Sequence, residues 1–339
     1  MNRKYILLFA VFAGASVFAQ VGGRSAYQFL NLVTNPRQAA LGGKVITNYD
    51  YDPTQAIFNP SSINPEMDNQ LSVNYTNYLG DVNYGSVAYA YLYDRRKQVF
   101  HTGITYVNYG KFDGYDESGN PTNEFGGGDV AVSFGYARNI AFTDFHIGGN
   151  LKLISSKLEQ YSSYGVAADV GVFYRYEDWD LNISTVARNI GTQIKPYDEI
   201  YEPLPFEVIF GISQTLEHIP LRWHFTLENL QRWNVAFDNP NRAEIDLEGN
   251  ATSENVTFVD EAFRHMIFGL ELFPKGGFNI RLGYNVRRAE ELRIIDTRAF
   301  AGLSAGFSIK LNKLRLSYSY AKYSSAAASG YFGLNIDLQ

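Results

Sequence analysis

Residues 319–322 read Ser-Tyr-Ala-Lys, the Ser-x-x-Lys spacing that on a helix sets a lysine one turn from a serine nucleophile. The surrounding stretch RLSYSYAKY, 315–323, argues for a strand instead. Leu316, Tyr318, Tyr320 and Lys322 alternate with Arg315, Ser317, Ser319, Ala321 and Tyr323 in a period of two. On a strand, a three-residue separation sends Ser319 and Lys322 to opposite faces, so the lysine cannot act on the hydroxyl. His101, His146, His218, His224 and His265 are widely spaced and form no metal-binding motif. Loop 110–128 with Asp129 gathers Asp113, Asp116, Glu117, Glu124 and Asp129 among glycines. Such carboxylates can hold Ca²⁺, but they lack the EF-hand order, and an exposed solvated loop is the plainer reading. The sequence therefore predicts no catalytic, cofactor or metal site and no enzymatic activity.

The strand reading extends along most of the chain. Fourteen segments carry strand patterning, at about 70–79, 83–94, 98–109, 129–139, 143–155, 164–176, 179–189, 205–216, 220–230, 262–273, 277–287, 298–311, 314–323 and 331–338. Most are long enough to cross a membrane at a tilt, which takes about 9–11 residues. Charges fall almost wholly on one face. Every second connection is short: 95–97, 140–142, 177–178, 217–219, 274–276 and 312–313. The intervening ones, 80–82, 110–128, 156–163, 190–204, 231–261, 288–297 and 324–330, are longer in all but the first case. Short turns at one rim and long loops at the other are the habit of outer-membrane barrels. The predicted fold is therefore all-β: a fourteen-stranded antiparallel transmembrane β-barrel over residues 70–339, with both chain ends at the short-turn rim.

Composition agrees with that prediction. The chain of 339 residues has 25 Tyr, 24 Phe and 30 Gly, 19% charged residues and a net charge of −6, which disfavours a nucleic-acid partner. It has no cysteine, which excludes disulfides, thiolate metal sites and a lipid anchor on an N-terminal Cys. Arg3 and Lys4 precede an apolar run ending at Val17-Phe18-Ala19, the pattern of a signal peptide over residues 1–19 cleaved near Ala19.

Residues 20–69 lack strand patterning and are punctuated by Gly22-Gly23, Asn35-Pro36, Gly42-Gly43, Asp52-Pro53, Asn59-Pro60 and Asn64-Pro65. Their apolar residues need burial, so they are expected to form a plug against or inside the barrel. A small periplasmic cap is the other reading. The polar face of the strands places Asn150, Lys152, Asp169, Asn182, Arg222, His224, Glu228, Asn279 and Arg281 toward the lumen, where opposite charges can pair with each other and with the plug. The longest connection, 231–261, holds Trp233, Val235 and Phe237, which are expected to dock a surface partner.

The plug carries a family resemblance. NPRQAALGGKVITNYDYDPTQAIFNPSSI, 35–63, resembles the N-terminal signature of the long-chain fatty-acid transporter superfamily of outer-membrane barrels, through Arg37, Ala39, Ala40, Gly42, Gly43, Asp52, Phe58, Asn59, Pro60 and Ser61. Within it, VGGRSAYQFLNLVTNPRQAALGG, ARNIGTQIKPYDE at 187–199 and PLPFEVIFGISQTL at 203–216 are similar to the PorV/PorQ branch found in type IX protein secretion, and the length is more like the PorQ-like members. The resemblance covers essentially the whole mature chain. It implies a fourteen-stranded barrel with an N-terminal plug, and a non-enzymatic anchor in the cargo-attachment complex. The implied partners are a PorZ-like surface protein and, through it, a PorU/PorV-like sortase complex. The chain ends in Asp337-Leu338-Gln339 rather than the terminal aromatic common in such barrels. Uptake of hydrophobic small molecules, as in the wider superfamily, is the competing expectation.

Overall fold

In the computed structural model the described residues are 25–78, 80–94, 98–116, 118–236, 244–245, 251–252, 256–291, 301–322 and 328–339. The expected signal peptide, residues 20–24, Glu117 and Phe237 lie outside them. The wall is built from β1 (Gln70–Asn77), β2 (Asn83–Asp94), β3 (Gln98–Phe112), β4 (Phe125–Asn139), β5 (Phe145–Leu158), β6 (Tyr161–Tyr176), β7 (Leu181–Lys195), β8 (Glu207–Thr215) and β9 (Leu221–Leu227). After a small pair, β10 (Glu244–Ile245) with β11 (Ala251–Thr252), it continues through β12 (Met266–Leu272), β13 (Phe278–Asn285), β14 (Leu303–Leu311), β15 (Leu314–Lys322) and β16 (Ala328–Asp337). Fourteen antiparallel strands close into a barrel, sealed where Gln70–Asn77 of β1 pairs with Gly330–Asp337 of β16.

Alternation decides which side each residue faces. In β15, Leu316 and Tyr320 are exposed while Ser319 and Ala321 are buried. The same split recurs around the wall: Phe100, Ile104, Phe134, Leu151, Leu153, Val170, Val172, Phe268, Leu270, Leu282 and Phe332 are exposed, while the buried face is rich in Ser, Asn, Thr and charge. An apolar outside around a polar inside inverts the arrangement of a soluble protein and is that of a membrane-spanning barrel. Among the described residues no helix is long and apolar enough to cross a membrane.

The wall departs from expectation in height. β3 to β7 run to 14–16 residues, and the connection expected at 156–163 is a tight turn at 159–160, with Glu159 at φ 56°. Polar residues such as Ser162 and Lys157 simply continue the ladder. One connection on the long-loop rim is therefore as short as the turns opposite. On the other side β9 and β12 have only seven residues each. Asn229 at φ 58° turns the chain away after β9, and residues expected to begin the next strand at 262 belong to a helix.

Residues 25–69 fill the barrel. The chain enters among the long-loop ends, where the Ala26 amide donates to the Pro203 carbonyl and the Tyr27 hydroxyl bonds Ser163 (2.6 Å). It leaves at the short-turn rim, where Asp68 caps the Leu92 amide. On the way it forms helices α1 (Pro36–Ala40) and α2 (Gln55–Phe58) and three 3₁₀ turns, at 28–31, 60–62 and 65–67. The first described residues thus sit at the long-loop rim and the last at the short-turn rim, while the N-terminal end expected with the short turns lies outside the described residues. With the long loops outward, a Gln28→Cys variant is expected to react with a membrane-impermeant maleimide on intact cells while a Gln339→Cys variant is protected. The reverse labelling pattern would refute this threading.

Candidate functional site: the plugged lumen and the long-loop rim

Each plug residue named by the sequence signature meets the wall or braces a neighbour that does. Asn35 caps α1, accepting from the Arg37 (2.7 Å) and Gln38 (3.3 Å) amides, and Pro36 starts the helix with its φ already set. That fixes Arg37, which donates to Glu271 of β12 (2.9 Å) and also bonds Asp50. Gly42 and Gly43, at φ 95° and 129°, turn the chain where it presses on β13 and β14; the Gly42 amide donates to the Ser304 hydroxyl (3.1 Å). Asp52 is a hub, accepting from the Thr54 amide (3.0 Å), its hydroxyl (2.7 Å), Ser72 (3.2 Å) and Asn335 (3.2 Å) beside the barrel seam. The Phe58 ring lies 4.3 Å under the Arg188 guanidinium. Asn59 donates to the Ile46 carbonyl and the Ser184 hydroxyl, each at 2.8 Å, and Pro60 opens the 3₁₀ turn that packs on β5 and β6.

The expected lumen residues Asn150, Lys152, Asp169, Arg222, His224, Glu228 and Arg281 are all buried inside the barrel, as are Asn182 and Asn279. They do not form one patch. Asn150 donates to the Ala56 carbonyl of the plug (2.7 Å). Lys152 pairs with Asp169 (2.7 Å) and donates to Asn189 (2.9 Å). His224 bonds Thr47 of the plug (3.2 Å). Arg281 (2.7 Å) and Arg222 (3.6 Å) converge with Arg37 on Glu271. Lys44 of the plug bridges Glu207 and Glu228, and Glu228 also takes Arg287 (3.4 Å). Arg188 reaches Glu207 (3.4 Å) and the Leu30 carbonyl (3.0 Å). Glu271, Glu207, Arg188 and Lys44, which anchor these clusters, escaped the sequence reading. Glu271 could have been found as the single acid in an otherwise apolar strand, on the parity of Ile267 and Gly269.

Beside the ion pairs lies an apolar pocket. Leu30, Leu32, Ile57 and Phe58 of the plug face Thr105, Ala131, Ser133 and Lys152 of the wall around a free centre with room for about one water.

At the long-loop rim the structure places two of the three residues expected to dock a partner, Trp233 and Val235. Val235 is buried, and its amide donates to Glu261 (3.0 Å). Trp233 is half-exposed and stacks on Phe258, with ring centroids 4.5 Å apart. Phe258 opens helix α3 (Phe258–Arg264), held by a capping box in which Thr257 and Asp260 bond each other's backbone. His265 ties the base of this unit to the Glu228 (2.7 Å) and Trp233 (3.0 Å) carbonyls. In the acidic loop, Asp116 accepts from the Asn120 side chain (2.9 Å) and from the Asn120 and Ser118 amides, which hold its carboxyl below the ordinary range. Asp129 instead bonds Tyr109 and Ser156 inside the barrel, and Lys111 pairs with Glu124 (2.7 Å). Among the described residues no group of three His, Asp or Glu side chains gathers as a metal site.

Comparison of the sequence with protein-family models and with curated proteins returns no match. Solved structures do match. The toluene transporter TbuX of Ralstonia pickettii superposes with a TM-score of 0.55 at 13% identity, over 92% of this chain and 100% of that one. The chain shares their fold. The monoaromatic hydrocarbon channel TodX, as a deltaS2 mutant, gives 0.50 at 12% identity over 91% and 98% of the two chains. A FadL homologue of Pseudomonas aeruginosa gives 0.50 at 10% identity over 91% and 99%.

Proposed function

We propose that this protein is a non-enzymatic outer-membrane barrel with a fixed plug, serving as an anchor in type IX protein secretion for a surface partner of the cargo-attachment complex. The observation that carries this reading is the way the plug is held. Arg37 and Lys44 are each locked into buried acids of the wall, and the pocket beside them admits little more than a water. A plug held in this manner is suited to holding position rather than to passing solute. The PorV/PorQ-like segments at 187–199 and 203–216 add the partner class, a PorZ-like protein and a PorU/PorV-like sortase.

A second reading is passage of hydrophobic small molecules, and the comparisons speak for it more directly than for the anchor. The solved structures that share the fold include a toluene transporter and a monoaromatic hydrocarbon channel. The apolar pocket at Leu30, Ile57 and Phe58 would be its starting point.

The two readings separate in one experiment. Purification of the tagged protein from native outer membranes in mild detergent is expected to recover a large surface protein together with a sortase. Vesicles carrying the purified barrel are expected to take up toluene no faster than empty ones. A lone barrel that accelerates toluene entry would overturn the anchor reading in favour of passage.

A further inference from the structure

Helix α3 stands where the barrel wall is low. A seven-residue strand such as β9 or β12 rises about 3.4 Å per residue. At a tilt of roughly 40° it therefore climbs only about 18 Å, against an apolar band of about 25 Å in such barrels. The flanking strands β8 and β13 are also short, at nine and eight residues, whereas β6, three strands from β9, has 16 and exceeds that band comfortably. Backbone pairing adds only Glu228 to His265 and Leu230 to Val208 above these strands, so the chain that connects β9 to β12 stands at the level of the upper acyl chains.

The chain between these two strands supplies an apolar surface at that place. Leu230 and Trp233 follow β9 and are exposed at 43% and 45%, while Phe258, Val259 and Phe263 of α3 are exposed at 71%, 58% and 51% just before β12 begins. They continue the exposed apolar file of β12, Phe268 and Leu270. The opposite face of α3 is anchored inward. Glu261 accepts from the Val235 and Ala236 amides, Arg264 is buried, and the helix packs on α4 (Val286–Glu291). From α4, Arg287 reaches the lumen acid Glu228, which places α4 toward the lumen and the bare face of α3 away from it.

We propose that α3 is a lipid-facing segment, with Phe258, Val259 and Phe263 seated among the acyl chains of the outer leaflet as a replacement for the missing upper wall. The occupant of this surface is the membrane and not a docked protein. The five exposed apolar side chains then have the same solvent as the strands beneath them.

The absence of native cysteine makes the test direct. Single spin labels at Val259→Cys and Phe263→Cys are compared in phosphatidylethanolamine–phosphatidylglycerol vesicles with Leu270→Cys on the lipid-facing wall and Asp116→Cys on a loop. The labels on α3 are expected to collide with oxygen several-fold more often than with a water-soluble nickel chelate, as at Leu270. Free access of the chelate, as at Asp116, would overturn the proposal and leave a water-facing surface fit for a protein partner. Low collision with both reagents would also overturn it, by showing the face packed against protein.

Discussion

Replacing Glu271 by Gln is expected to destabilise the folded barrel by about 3–5 kcal/mol, the range for removing one partner from a buried charge cluster. The Glu271 side chain is fully buried, and it neutralises Arg37 from the plug together with Arg281 and Arg222 from the wall. Without its charge, three guanidinium groups face one another where water cannot screen them, and the Asp50 bond satisfies only the first. The measurement is urea unfolding of the detergent-solubilised protein, followed by tryptophan fluorescence. Lys111→Ala provides the contrast, because Lys111 and Glu124 form a solvent-screened pair exposed at 80% and 56%, and the unfolding midpoint is expected to stay where it is. A Glu271→Gln variant as stable as the Lys111→Ala variant would show that the plug is not held by these charges.

The second large effect comes from adding one carbon. At Gly283, in β13, a Cβ atom would fall 2.0 Å from the Gly42 amide nitrogen and 2.2 Å from the Leu41 carbonyl carbon. Both are plug backbone and cannot rotate aside. Gly283→Ala should therefore cost at least the 1–3 kcal/mol, roughly, of an overpacked core, and should push the 41–43 turn off the wall. Gly277→Ala is the control, since a Cβ there meets nothing within 4 Å. Unfolding midpoints that shift equally for the two variants would refute the close fit of plug against wall.

Much of the wall was readable because lipid imposes a strict rule: alternate residues must be apolar through the span, and fourteen stretches obey it. Where lipid does not reach, the rule gives no signal. Ser156, Lys157 and Ser162 look like loop residues, yet they stay in the ladder above the expected span. At 262–265 the alternation misled, because a helix started by the Thr257-x-x-Asp260 box runs directly into β12; that box was itself a legible signal. In the site, the polar parity of the strands placed Lys152, Asp169, Arg222 and Arg281 inside the barrel. It could not pair them, since partners such as Arg37 and Glu271 lie far apart in sequence. The burial of Val235 was not legible, because composition cannot tell an apolar side chain that props a loop from one left exposed.

The route of residues 25–69, from the long-loop mouth down to the seam strand β1, bears on how the molecule is assembled. A stretch that runs from one end of a closed cylinder to the other and is joined to its wall there is continuous with that wall rather than a separate cork. Its α1 turn rests on β13 to β16 and its 60–62 turn on β4 to β6, so both halves of the sheet are moulded on it. Plug and wall are therefore packed as one body, and Asp52, bonded to Ser72 of β1 and Asn335 of β16, ties the interior to both sides of the joint that closes the sheet.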